Sequence, residues 1–221
     1  MQFLVFLKSI FFFIIFFFTT FLWGHLFLKI NEKFCKNIDI VSVDFIKPVL
    51  GFSTLVLFSY YLYFNLNLYL QDIIIFFVFF SFVILIFCKN ENVLLSFYKI
   101  LKSSIPIFLV FMLYATINGE QFYIFRGNYW DSMNYISTSI LVKEFSFSEI
   151  LELRNNNLEF ENALLHNGTK NIFVRPISTI ILAIFLFFKI DGIFYTNYLF
   201  KVFLIIQIFC SFYFLISQFK I

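Results

Sequence analysis

Charge is what this chain has least of: only 13% of its 221 residues are Asp, Glu, Lys or Arg. A soluble domain of this size carries about a quarter. The shortage excludes a surface that faces water all round, because 62% of the residues are hydrophobic and the mean hydropathy is +0.92. Cysteine is also scarce. Cys35, Cys88 and Cys210 are an odd number, widely spaced, with no metal or redox spacing, so they read as small apolar fillers. No glycine-rich nucleotide loop, zinc-ligand spacing or serine-nucleophile motif occurs, which excludes a soluble nucleotide-sugar enzyme. The net charge of +3 is spread between apolar blocks and forms no continuous stripe, so no nucleic-acid partner is expected.

What is present is apolar sequence in long blocks, and the partner it demands is a lipid bilayer. Phe alone accounts for 40 residues. Ile, Leu, Asn, Lys and Tyr are abundant too, the signature of drift toward AT-rich codons. In lipid Phe, Leu and Ile are nearly interchangeable, so the excess needs no dedicated aromatic surface. A spanning helix needs roughly 20 apolar residues. Six segments approach this: 9–29, 48–69, 72–88, 103–118, 173–190 and 197–218. The expected fold is therefore all-α, a polytopic transmembrane helix bundle of about six spans with a short-helix extracytoplasmic loop. Its domains would be residues 1–118 (spans one to four), 119–172 (the loop) and 173–221 (spans five and six). Lys8 precedes the first apolar run, but the run is too long for a signal peptide and no small-residue cleavage site follows it before Asn31, so a retained anchor is expected.

Lysines in the short connections set the orientation. Lys29, Lys33, Lys36 and Lys47 precede span two, Lys89, Lys99 and Lys102 lie between spans three and four, and Lys189 follows span five. The opposite side offers Lys8, nothing in a tight turn near Gln71-Asp72, and Lys220. This places the lysine-rich connections in the cytoplasm. Both termini and the loop 119–172 are then extracytoplasmic, in a bacterial inner (plasma) membrane.

That loop is the one sizeable polar region, and it is acidic where the rest of the chain is basic. It reads as two or three short helices at the membrane surface. Asp131 can cap a helix with Met133, Ile136 and Ile140 on one face. Ser146-Phe147-Ser148-Glu149 is a capping box that opens a second helix, and Arg175-Pro176 leads into span five. The stretch from Tyr123 to Tyr135 is the densest polar-aromatic cluster, with Arg126, Gly127, Tyr129, Trp130 and Asp131. An interfacial aromatic belt with a helix cap accounts for it. So does a functional carboxylate, Asp131, with Arg126 and Arg175 near it to hold phosphate, since a guanidinium forks onto phosphate oxygens. Arg175 at a span boundary also fits a side chain that snorkels to headgroups. His25, inside span one, and His166, in the loop, carry no partner motif; a lone intramembrane histidine commonly bonds a neighbouring helix.

A Gly-x-x-x-Asp stretch among tyrosines, then an amphipathic stretch, then Arg-Pro opening a span, resembles the first outer loop of GT-C type glycosyltransferases that use polyprenyl-phosphate sugars. The resemblance covers roughly residues 118–190. It implies transfer of a sugar from a polyprenyl-phosphate carrier to an acceptor of the cell envelope. It gives Asp131 the catalytic position, with Glu120 as second acid. Arg126 and Arg175 would contact the donor phosphate, and Trp130 and Tyr129 would complete substrate binding. A divalent metal ion is the cofactor it implies, with no ligand set. The chain would be the N-terminal part of a larger enzyme.

Readings from other classes are a non-catalytic membrane subunit, a transporter fragment, or a polysaccharide polymerase. A transporter should show broken helices or paired charges at mid-membrane. Spans three and five show neither, and span six offers only Gln207.

Overall fold

The computed structural model describes residues 2–31, 40–88, 92–118, 129–155, 172, 176–188 and 193–219. Among them the chain forms eight helices: α1 (Gln2–Ile30), α2 (Ile40–Phe64), α3 (Leu70–Phe87), α4 (Val93–Asn118), α5 (Tyr129–Glu144), α6 (Phe147–Asn155), α7 (Pro176–Phe187) and α8 (Ile193–Phe219). Five stretches are long and apolar enough to cross a membrane: Leu4–Ile30, Val43–Phe64, Leu70–Phe87, Val93–Tyr114 and Tyr198–Gln218. The all-helical, multi-pass architecture is as expected.

The chain divides into two compact units. Unit 1 comprises Met1–Leu55, Phe77–Ile117 and Lys201–Ile221; unit 2 comprises Val56–Phe76 and Asn118–Phe200. Unit 1 is organised by a contact that side chains do not make. A Cβ placed on Gly24 of α1 would run into the backbone carbonyl of Lys47, and one on Gly51 of α2 into the carbonyl of Thr20. Lipid tails are as apolar as the helices, so membrane helices gain by close backbone approach, and small residues at the crossing permit it. Around this crossing the phenylalanines interdigitate. Phe13 of α1 stacks on Phe108 of α4 at 4.2 Å, and Phe21 meets Phe97 at 5.6 Å. Rising numbers on α1 therefore face falling numbers on α4, and the two helices are antiparallel.

The direction of α8 follows in the same way. Its Phe203 packs on Phe16 of α1 at 5.0 Å and on Phe52 of α2 at 5.3 Å. Its Tyr213 lies on Phe45 at 4.1 Å, at the end of α2 where Lys47 meets Gly24. Within unit 1, α8 thus runs parallel to α1.

Several polar groups inside these spans are bonded to their own backbone or across the bundle, as a solvent without hydrogen bonds demands, whereas Ser59 Oγ and the Gln207 amide are buried with no partner among the described residues. Ser9, Thr20 and Ser81 donate to Val5, Phe17 and Phe77 carbonyls one turn back. Trp23 Nε1 donates to Ser81 Oγ at 3.1 Å, joining α1 to α3. Cys88 and Cys210 are buried free thiols, the filler role expected of them. Cys35 lies outside the described residues.

Unit 2 has its own small core, Ile136 of α5 with Leu182 and Leu186 of α7, and Phe200 packed against it. Every residue from Thr179 to Leu186 is buried. A helix that is apolar on all sides must be covered on all sides. Of the expected fifth span, 173–190, the described helix is Pro176–Phe187, an apolar helix shorter than the other five; residues 173–175, 189 and 190 lie outside the described residues. Some boundaries shift. The second span ends at Phe64 and the turn falls at 65–69 instead of near Gln71-Asp72, because Asn67 takes up a left-handed φ of 55°. The fourth helix starts at Val93, so Lys99 and Lys102 lie on α4 itself.

Because both glycines meet backbone that no rotamer change can move, Gly24→Ala and Gly51→Ala should each destabilise the protein by about 1–3 kcal/mol. Unfolding of the purified protein in mixed micelles measures this, and midpoints equal to the unsubstituted protein would contradict the crossing.

Candidate functional site

The description of α5 begins at Tyr129, with Trp130 and Asp131 next in the helix; the residues before Tyr129, where the expected cap would be judged, lie outside the described residues. So do Glu120, Arg126 and Arg175. The face expected from Met133, Ile136 and Ile140 is only partly right. Ile136 through Ser139, Leu141 and Val142 are buried, whereas Ile140 is exposed. The register is rotated because α7 covers Ile136 from one side and hydroxyl residues tolerate close packing.

The side-chain geometry is best defined where α6 begins. Ser146 and Glu149 form the anticipated box: Ser146 N–H donates to Glu149 Oε2 at 2.8 Å. The other half differs. Ser146 Oγ also donates to Glu149 Oε2, at 2.9 Å, and so does not serve the first-turn amides. Their orphan N–H at Ser148 is taken by another part of the chain, since Asn67 Oδ1 accepts it at 2.7 Å while Asn67 Nδ2 donates to Ser148 Oγ at 2.8 Å. Tyr69 Oη donates to Glu149 Oε1 at 2.7 Å, and Tyr63 Oη to the Phe145 carbonyl at 2.8 Å. Phe64 closes the apolar side edge-on against Phe147 at 4.6 Å. The junction of α5 and α6 is thereby clasped to the turn between α2 and α3, with all partners in unit 2.

The clasp fixes the charge of its carboxylate. The Ser146 amide, then the Tyr69 and Ser146 hydroxyls, hold Glu149 below the usual carboxylate range. In return the bond to Glu149 pushes the Tyr69 hydroxyl up. A carboxylate so stabilised is a poor proton acceptor, which suits Glu149 to anchoring. Sequence reasoning found Glu149 but missed Asn67 and Tyr69. The available signal was Asn65 and Asn67, a turn composition near the end of the expected span 48–69.

Among the described residues no three His, Cys, Asp or Glu lie close enough together to hold a metal ion. Compared with known proteins, the chain matches no protein-family model, no curated protein and no solved structure. What the fold and this geometry establish is a multi-pass helical membrane protein whose polar segment is anchored to its own α2–α3 turn.

The clasp generates a pH dependence with a definite sign. Glu149 has its folded value lowered, so its contribution is present above the ordinary 4.5 and is lost as pH falls through the folded value. Tyr69 has its value raised, so its contribution is present below 10.0 and fades only as pH rises through the folded value. Protection of the Ser146 and Ser148 amides, relative to their intrinsic exchange rates at each pH, should be high across the neutral range and fall in acid. Tyr63→Phe, which leaves the Phe145 carbonyl without its donor, should cost about 1–2 kcal/mol. Exchange at these amides that is already fast at neutral pH would contradict the clasp.

Proposed function

We propose that the chain is a GT-C type glycosyltransferase, or the N-terminal part of one, that moves a sugar from a polyprenyl-phosphate carrier to an envelope acceptor. In this reading Asp131 deprotonates the acceptor hydroxyl and Glu120 is the second acid. Arg126 and Arg175 neutralise the departing phosphate, a divalent ion assists them, and Trp130 and Tyr129 set the depth of the carboxylate at the headgroups. The segment 119–172 faces the extracytoplasmic side of a bacterial plasma membrane.

One observation supports the reading above the others. The helix that carries Asp131 is held from two directions, its middle buried against α7 and its end clasped through the α6 junction to the α2–α3 turn. A reacting group benefits from such rigidity, because orientation is a large part of catalysis. A helix serving only as an interfacial belt has no need of it.

A transporter fragment is the second reading, and Gln207 is what favours it. Its amide is buried in the span of α8, and neither Nε2 nor Oε1 has a partner among the described residues. Such a group is costly in a membrane and marks polar pathways.

The test is Asp131→Asn in the full chain, assayed in membranes with polyprenyl-phosphate sugars. As a general base its loss should lower transfer by on the order of a hundredfold or more, with the protein still folded. As a helix cap, a role that Asn fills about as well, the substitution should leave stability and any transfer unchanged. That second pattern would retire the proposal.

A further inference from the structure

The outward face of α4 carries two charges where the membrane offers them nothing. Lys99 and Lys102 are exposed, one turn apart, and neither ammonium has an ion pair or hydrogen bond among the described residues. On the same face Ser103 turns its hydroxyl back onto the Lys99 carbonyl at 3.3 Å, and Pro106 has no N–H to offer the Lys102 carbonyl. The opposite face, with Phe97, Ile100, Ser104 and Phe108, is buried. Packing within unit 1 fixes the depth. Residues 9–28 of α1, between Lys8 and Lys29, contain no Asp, Glu, Lys or Arg. At about 1.5 Å each they cover about 30 Å, the thickness of the hydrocarbon. The Phe97 ring lies against Phe18 at 4.7 Å, in the middle of that run, and Phe108 against Phe13, nearer the Lys8 end. Lys99 and Lys102 fall between these two contacts, so both sit well inside the bilayer, near its middle. The hydrocarbon edge is then roughly 15 Å away, beyond the reach of a four-carbon stem. A charge at that depth is paired or very costly. A second copy of this chain has no partner to give. The acids in its five apolar spans are Asp44, the second residue of its span and already bonded to Lys47, and Asp72, the third of its own. Both stand at span ends, and lipid phosphates lie at the surface. The complement of this face is a carboxylate near the midpoint of a foreign helix.

We propose that the face of α4 around Lys99 and Lys102 binds a membrane-spanning helix of another protein that carries an Asp or Glu near its midpoint. The span of α4 is also the least covered of the five, which leaves room for a neighbouring helix. The surface uses none of the residues assigned to sugar transfer and stands whether or not that reading holds.

The experiment reconstitutes the full chain in phosphatidylcholine vesicles with synthetic leucine helices of about 22 residues. Energy transfer between labels on peptide and protein reads the binding. A peptide with one Asp at its midpoint should bind about tenfold more tightly than the all-leucine peptide, as expected for a polar contact between membrane helices. A peptide with its Asp at one end should bind no better than leucine. Lys99→Met with Lys102→Met removes both charges from exposed positions and keeps a good helix former there, so the protein should fold and lose the preference. Lys99→Arg with Lys102→Arg should keep it. Equal binding of the midpoint-Asp and leucine peptides overturns the proposal, and so does a preference that survives the double Met variant. Stronger binding of the end-Asp peptide also overturns it, because the ammoniums would then lie at the headgroups. So does pairing of two copies of the chain that the Met variant abolishes, which would make the partner this protein itself.

Discussion

The crossing of α1 and α2, backbone against backbone at Gly24 and Gly51, is the contact on which the rest of unit 1 depends. In water a helix pair can be held by hiding apolar surface. In lipid that gain is nearly absent, and what remains is close packing, a few hydrogen bonds and the shape of the surfaces. Two glycines opposite two carbonyls bring the axes together and set the depth of everything that follows. Phe13, Phe17 and Phe21 are turned toward α4 and α8, Trp23 reaches Ser81 on α3, and the Lys47 backbone is held against Gly24. The abundant phenylalanine, a product of composition, fills this frame without having designed it.

The direction of α8 is the most consequential result of that packing. Within unit 1, α4 is antiparallel to α1 and α8 is parallel to it. Unit 2 has a core of its own, built on α5 and α7. Its polar clasp at Asn67, Tyr69 and Glu149 belongs where water reaches and hydrogen bonds can carry specificity.

The apolar blocks were legible because a membrane span is a composition signal, and five of the six expected segments are long apolar helices. In the segment 173–190 the described apolar helix is Pro176–Phe187, and a helix buried in protein and a helix buried in lipid have the same hydrophobic sequence. The capping box at Ser146 and Glu149 was legible as a local motif. Its partners were not, because Asn67 and Tyr69 are some 80 positions away and no local rule joins them. Asp131 was singled out from its neighbours in sequence, and it lies in α5. Lys47 had been read only as an orientation signal, and Asp44 was not singled out. Their pairing over Phe21 is a property of the crossing.

Because α8 runs parallel to α1 within unit 1, Gln2 and Phe219 are expected on opposite sides of the membrane. The most direct test of the packing of unit 1 is to attach the same small impermeant-reagent tag before Gln2 and after Phe219 and label both in sealed, uniformly oriented vesicles. The account predicts that one tag reacts at once and the other only after the vesicles are opened. Labelling of both tags from the same side would contradict the direction of α8.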